Sequence, residues 1–304
     1  MVSLDSLIQS IIASTMPILL AMLGETFSER SGVVNLGMDG IMLMAASAGF
    51  IATLYLNSIM AGVAFGVLMG MLLALVVAFL SIDLRLNQTI VGVAIWIFGL
   101  GASSLLWIEL VFNKFGVVYI NTITPKPIPL ISDIPIVGGF ARQTELVYLA
   151  YVLIIFTYFI LEKTTLGLKI SAAGDNAMGA DIIGINVRRL RYTCVIVSGM
   201  FGGLGGALIT LNLSGSWANN ITAGSGWIAV ALVRAGQWNP LLATIGTFVF
   251  GAVTNLQFTL QVTNIPIPYE FFLALPYVVG IISLAVFRAS RAQPKDLGNP
   301  YKRE

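Results

Sequence analysis

Residues 59–80, "IMAGVAFGVLMGMLLALVVAFL", carry no charged side chain and no polar stripe. A helix needs roughly 20 apolar residues to cross the hydrocarbon of a bilayer, whereas a soluble core helix of that length would keep one polar face. The run therefore fixes lipid as the solvent. Further apolar runs lie near 7–24, 40–56, 89–111, 145–161, 192–213, 240–260 and 269–287, and a piece at 226–236 is too short to cross about 30 Å. Of the 304 residues 57% are apolar and 10% charged, and mean hydropathy is +0.91. The alternation of a membrane β-barrel is absent. We expect an all-α, polytopic transmembrane helical bundle: about eight full spans, a short re-entrant or tilted segment and broken helices, in one domain covering 1–304. The first run holds Pro17 and lacks a basic flank and a cleavage pattern, so it reads as a retained span.

Charge sets the topology. Basic residues gather in 162–191 (Lys163, Lys169, Arg188, Arg189, Arg191) and in the tail 288–304 (Arg288, Arg291, Lys295, Lys302, Arg303). The positive-inside rule makes both cytoplasmic. Counting back from the tail keeps Arg85 inside and puts the proline-rich 112–144 loop and the N-terminus outside. A net charge of +2 is too small to imply nucleic acid. With no histidine and Cys194 alone, the common metal and acid/base constellations cannot be assembled. No GxxxxGK[ST] loop occurs either. Catalytic residues, metal and cofactor are all expected to be absent.

Polar residues within apolar segments must face protein or water. These are Asn35, Asp39, Glu109, Asn212, Arg234, Asn255, Gln257 and Glu270. Asn35 and Asp39 are four residues apart among Gly32, Gly37 and Gly40. They read either as a broken helix at the mouth of a span or as caps of the helix starting near 40. In 214–240, Trp217 and Trp227 either anchor at the interface or stack on a planar solute, and Arg234 is expected to snorkel to the cytoplasmic side near Gln237. Gly62, Gly66 and Gly70, and the glycines of "SGMFGGLGGALI", suit close helix crossings. Within 162–191, Met178, Ile182, Ile183 and Ile185 lie between a "GDN" start and a Gly184 stop. This short amphipathic helix either docks a partner or lies on the membrane.

Four stretches in order, "ETFSERSGVVNLGMDGIMLMAA", "TTLGLKISAAGDNAMGADIIGINVRRLR", "SGMFGGLGGALI" and "GSGWIAVALVRAGQWNPLLATIGTFVFGAV", resemble signature regions of permease subunits of ATP-binding-cassette importers. The group includes branched-chain amino acid and simple-sugar permeases, and the likeness is greatest to bacterial nucleoside-type permeases. It covers about 16–287. The resemblance implies a permease subunit of the cell membrane, with no enzymatic activity of its own and a cytoplasmic C-terminus, passing a small polar solute, first of all a nucleoside, inward by alternating access. It implies four partners: an ATP-binding cassette ATPase, a second permease chain (similar or identical), an extracytoplasmic solute-binding lipoprotein, and membrane lipid. By position, Gly174, Asp175, Asn176, Ala180, Gly184 and Ile185 would form the coupling helix that sits on the ATPase. Gly32, Asn35, Gly37, Asp39 and Gly40 would mark a break beside the translocation path. Asn212, Trp217, Trp227, Asn255 and Gln257 join Asn35 and Asp39 as path candidates. Arg234 departs from the family, where an aromatic or small residue is usual. The alternatives are a permease for a simple sugar or branched-chain amino acid, and an ion-coupled secondary transporter using Glu109 and Glu270.

Overall fold

The computed structural model describes residues 4–262 except 130, 131, 133, 135 and 136, single positions between 270 and 280, and residues 293–301. The expected span at 269–287 falls mostly outside the described residues. Among the described residues the chain is helix and loop only, in the order α1 (Leu4–Arg30), α2 (Met38–Leu56), α3 (Ile59–Ala78), α4 (Gln88–Trp107), the stubs α5 (Asn113–Phe115) and α6 (Gly138–Ala141), α7 (Glu145–Lys163), α8 (Thr165–Asp175), α9 (Ala177–Ile182), α10 (Val187–Leu208), α11 (Ser225–Ala235) and α12 (Pro240–Val262). Wide π turns prolong α3, α4 and α10 at Phe79–Asp83, Ile108–Phe112 and Ile209–Ser214. Among the described residues, seven helices are long and apolar enough to cross a membrane. They match the runs the sequence marks before 262.

The first span is longer than expected. It does not stop at residue 24 but stays helical through "GETFSER" to Arg30. The reason is burial: Glu25, Thr26, Ser28 and Glu29 are all fully enclosed. Their polar atoms meet protein partners, so nothing forces the helix to end where the charges begin.

α10 is the centre of the bundle, packed against α1, α2 and α3. Lipid is as apolar as leucine, so such helices associate by close van der Waals fit. α3 and α10 achieve it with glycine: a Cβ on Gly203 would stand 2.6 Å from the Gly66 carbonyl oxygen, and one on Gly66 2.8 Å from the Ala207 Cβ. Gly62, Gly66 and Gly70 are all buried on that face, as their spacing leads one to expect. The other face exposes Met60, Phe65, Leu68 and Leu72 to the position of lipid.

One end of the bundle collects the basic segments. Arg30 Nη1 lies 2.7 Å from Glu162 Oε1, and its Nη2 donates to Ser171 Oγ at 2.9 Å, tying the end of α1 to α7 and α8. Asp296 of the tail donates its N–H to the Gly174 carbonyl at 2.9 Å at this same end. At the opposite end the 112–144 loop bonds the start of α1 through Gln9 Nε2 to Arg142 O, and the end of α10 through Ile123 N to Leu211 O. The N-terminus and the tail thus lie at opposite ends, in line with span counting. From the end of α10 that lies away from the tail, the chain returns through turns over 215–224 and then as α11, whose 11 residues cover about 16 Å. The short apolar segment is the helical half of a broken crossing.

The crossing of α3 and α10 generates a prediction. Gly203→Leu should destabilise the protein by about 1–3 kcal/mol or more through overpacking, read as a lowered melting midpoint in detergent. Gly101→Leu, where a Cβ meets open space, should leave the midpoint nearly unchanged, and equal midpoints for the two variants would contradict the crossing.

Candidate functional site

After α1 ends at Arg30, the N–H groups of Ser31, Gly32 and Val33 still donate to carbonyls of its last turn, but those of the next residues have no helical partner. Inside a bundle each such N–H must find another acceptor. Val34 N donates to Gln88 Oε1 and Asn35 N to Glu25 Oε1, both at 2.8 Å. Glu25 Oε2 accepts from Ser198 Oγ at 3.0 Å, so this carboxylate joins α1, the break and α10. Asn35 is fully buried, and its Oδ1 accepts from Gly37 N at 3.2 Å, closing the turn that feeds α2.

Asp39 does not cap its own helix. The N-cap of α2 is Gly37, which has no side-chain cap. Asp39 Oδ1 instead accepts from Gly226 N at 2.9 Å, in the first turn of α11, whose own N-cap, Gly224, has no side chain to offer. One helix is capped by another 187 residues away in sequence. A carboxylate at a helix N-terminus also suits the dipole. The approach is so close that a Cβ on Gly226 would overlap the Asp39 backbone. Asp39 Oδ2 accepts from Trp96 Nε1 at 3.2 Å, orienting an indole of α4.

α11 has a buried face and an open one. Ser225, Gly226, Ala229, Val230, Leu232 and Val233 are buried, while Trp227, Ala231 and Arg234, at i, i+4 and i+7, are half-buried or exposed. At its upper end Trp227 meets Trp96 edge to face, centroids 5.6 Å apart and planes at 87°. At its lower end Arg234 Nε stands 3.4 Å from Glu29 Oε1. Glu29 Oε2 accepts from Trp238 Nε1 at 2.7 Å. Arg234 is half-exposed yet held by a buried carboxylate. Glu29 is a partner that the snorkelling expectation does not include.

The remaining path candidates lie elsewhere. Trp217 is buried and stacked on Trp107 at 5.2 Å, so one face of its ring is already covered. Asn212 stands in the π turn that follows α10. Asn255 and Gln257 lie toward the far end of α12, Gln257 buried. The structure brings Asp39 and Trp227 together at the start of α11 and adds Trp96 there. Asn35 stays in the break beside Glu25, and Glu29 stands at the other end of α11. The sequence does not single out Trp96, Glu25 or Glu29.

The 162–191 segment holds two helices rather than one. Gly174 and Asp175 end α8. Asn176 caps α9, its Oδ1 accepting from Gly179 N at 2.8 Å, and Ala180 is buried. Gly184 ends this piece with φ +89°. Met178, Ile182 and Ile183 stand out into solvent, Ile182 at 76% exposure. That makes an unpartnered apolar ridge.

If Asp39 holds α11 as described, Asp39→Ala should destabilise the protein by about 1–3 kcal/mol, the cost of leaving a buried N–H unmet. Asp39→Asn, which keeps an acceptor for Gly226 N, should recover most of it. Thermal melting of the purified protein checks both, and equal loss in the two variants would contradict the capping role.

Comparison with known proteins adds the following. The family described as branched-chain amino acid transport system / permease component has a model that matches residues 7–284. The chain is 34% identical to the guanosine ABC transporter permease protein NupQ of Bacillus subtilis (strain 168), over 94% of this chain and 92% of that one. It is 33% identical to the nucleoside ABC transporter permease protein NupC of Lactococcus lactis subsp. cremoris, over 98% and 97%. It is 34% identical to TsgC13 of Haloferax volcanii, named as a glucose ABC transporter permease, over 98% of each. Among solved structures, an inward-facing transporter assigned to the metal-chelate type of ABC transporters superposes with a TM-score of 0.56 at 16% identity, over 93% of this chain and 86% of that one. That likeness concerns the fold.

Proposed function

The chain belongs to the family of permease components of branched-chain amino acid transport systems, and on that premise we propose that it passes a nucleoside inward across the cell membrane by alternating access. ATP hydrolysis falls to a separate ATP-binding cassette chain, and a second permease, similar or identical, completes the membrane part. A solute-binding lipoprotein delivers the solute from outside, and the end of the bundle carrying α8, α9 and the tail is cytoplasmic.

The observation that carries the solute class is the start of α11. Half-helices at mid-membrane sites usually aim their N-termini at an anionic group of the substrate. Here Asp39 occupies that place with a hydrogen bond. An amino acid carboxylate finds no vacant helix end, which supports an uncharged solute. Beside it the half-buried Trp96 and Trp227 offer aromatic surface, and stacking on a base is worth about 1–3 kcal/mol. Relatives named for guanosine and nucleosides agree with this. The solute then moves along the open face of α11 past Ala231 to Arg234, whose charge Glu29 offsets. In this scheme, α9 receives the ATPase on its apolar ridge, and the break at 31–37 carries that motion to Asp39 and α11.

A simple-sugar reading has one observation in its favour, the equal identity to the Haloferax relative named for glucose. Uptake of labelled guanosine by the reconstituted importer separates the two. Guanosine should enter, and excess glucose should not compete. Trp96→Ala should lower guanosine uptake about tenfold, the equivalent of one lost stacking contact. Glucose uptake without guanosine uptake would overturn the nucleoside reading.

A further inference from the structure

The tail past residue 292 does more than supply positive charge. Asp296 N donates to the Gly174 carbonyl at 2.9 Å, and Asp296 Oδ2 accepts from Ala177 N, the first residue of α9, at 2.7 Å. Tyr301 Oη donates to Asp181 Oδ2, near the other end of α9, at 2.9 Å. The tail therefore grips the short helix at both ends.

It also grips the break. Gly298 N donates to the Gly32 carbonyl at 3.1 Å. The Asn299 carbonyl accepts from Arg191 Nη1 at 3.1 Å. Arg191 is only 2% exposed, and its other nitrogens donate to Ser31 O at 3.0 Å and Ala173 O at 3.3 Å. One guanidinium thus joins the break, the end of α8 and the tail. Gly174 packs against the Arg30 carbonyl with no room for a Cβ.

α9 needs such support. With 6 residues it is far below the length at which a helix is stable alone. It hangs between Asn176, in an extended conformation at φ −156°, and Gly184 at φ +89°, around which a Cβ would meet nothing. A piece so jointed would swivel under a docked partner and absorb its movement. Fixed to Gly32 and Arg191, it moves with the break.

We propose that residues 293–301 are a strap that makes α9 and the α1–α2 break one rigid unit, with Asp296 as the positioning residue that transmits motion from a docked ATPase to the break. This rests on the reading of α9 as the docking helix. The strap needs neither substrate contact nor charge on the tail as a whole, only the bonds above.

The test is the number of ATP molecules hydrolysed per solute imported by the complete, reconstituted importer. Asp296→Ala should raise that ratio roughly fivefold, which is a capping bond of about 1 kcal/mol expressed as a population, while the ATPase still co-purifies in full. Asp296→Asn keeps an acceptor for Ala177 N and should stay near the unmodified ratio. Tyr301→Phe, a milder change, should move the ratio the same way by less, and serves if Asp296→Ala does not fold. An unchanged ratio in both Asp296→Ala and Tyr301→Phe overturns the strap. So does loss of ATPase from the Asp296→Ala complex in proportion to lost uptake, since the tail would then be part of the dock itself. Ile182→Glu, on the exposed ridge, separates the underlying reading: it should release the ATPase, and full co-purification there removes the dock and the proposal with it.

Discussion

A helix interrupted inside a membrane protein strips several backbone N–H groups of their partners, and each one left unmet costs a few kcal/mol. This chain meets that cost with buried side-chain oxygens. Glu25 and Gln88 accept the N–H groups of the break after α1, and Asp39 accepts at the start of α11. The rest of the arrangement depends on these bonds. They let α1 stay helical through a charged stretch, let the chain climb from Arg30 back into the bundle, and let a half-length helix begin in the interior.

Because Asp39 fills the start of α11, that helix has only its outer face left to work with. Trp227, Ala231 and Arg234 lie along it, with Trp96 flanking the top and Glu29 balancing the bottom. The same break connects downward. Ser31 and Gly32 are bonded to Arg191 and to the tail, which hold α9. A continuous run of hydrogen bonds and packed backbone therefore leads from the exposed ridge of α9 to the aromatic corner. Its contacts are buried from Arg191 to Asp39 and part-buried at the tail.

Most of the scaffold is legible in the sequence, because the length and uniformity of apolar runs report spans directly. The break at Asn35 and Asp39 is legible too, since polar and glycine residues in lipid demand an explanation. What stays hidden is every long-range partner. "ETFSER" looks like the end of a span because charge normally marks a boundary, and only the fold shows that Ser198 and Trp238 enclose Glu25 and Glu29. Asp39 looks like a local cap because capping is read within four residues, yet its partner is on α11. Trp96 sits in an unremarkable apolar run and acquires its place only through Asp39. The tail reads only as a basic cytoplasmic segment, since a single sequence cannot show that Asp296 meets Ala177.

The central claim is that the open face of α11 lines a path that is exposed to one side of the membrane at a time. The most direct measurement is the reaction of a membrane-impermeant thiol reagent with Ala231→Cys, in a Cys194→Ser background, in the assembled importer with and without nucleotide trapped by vanadate. The account predicts labelling from one side of the membrane in the nucleotide-free state and from the other, or protection, in the trapped state. The same labelling in both states, or none in either, would contradict it.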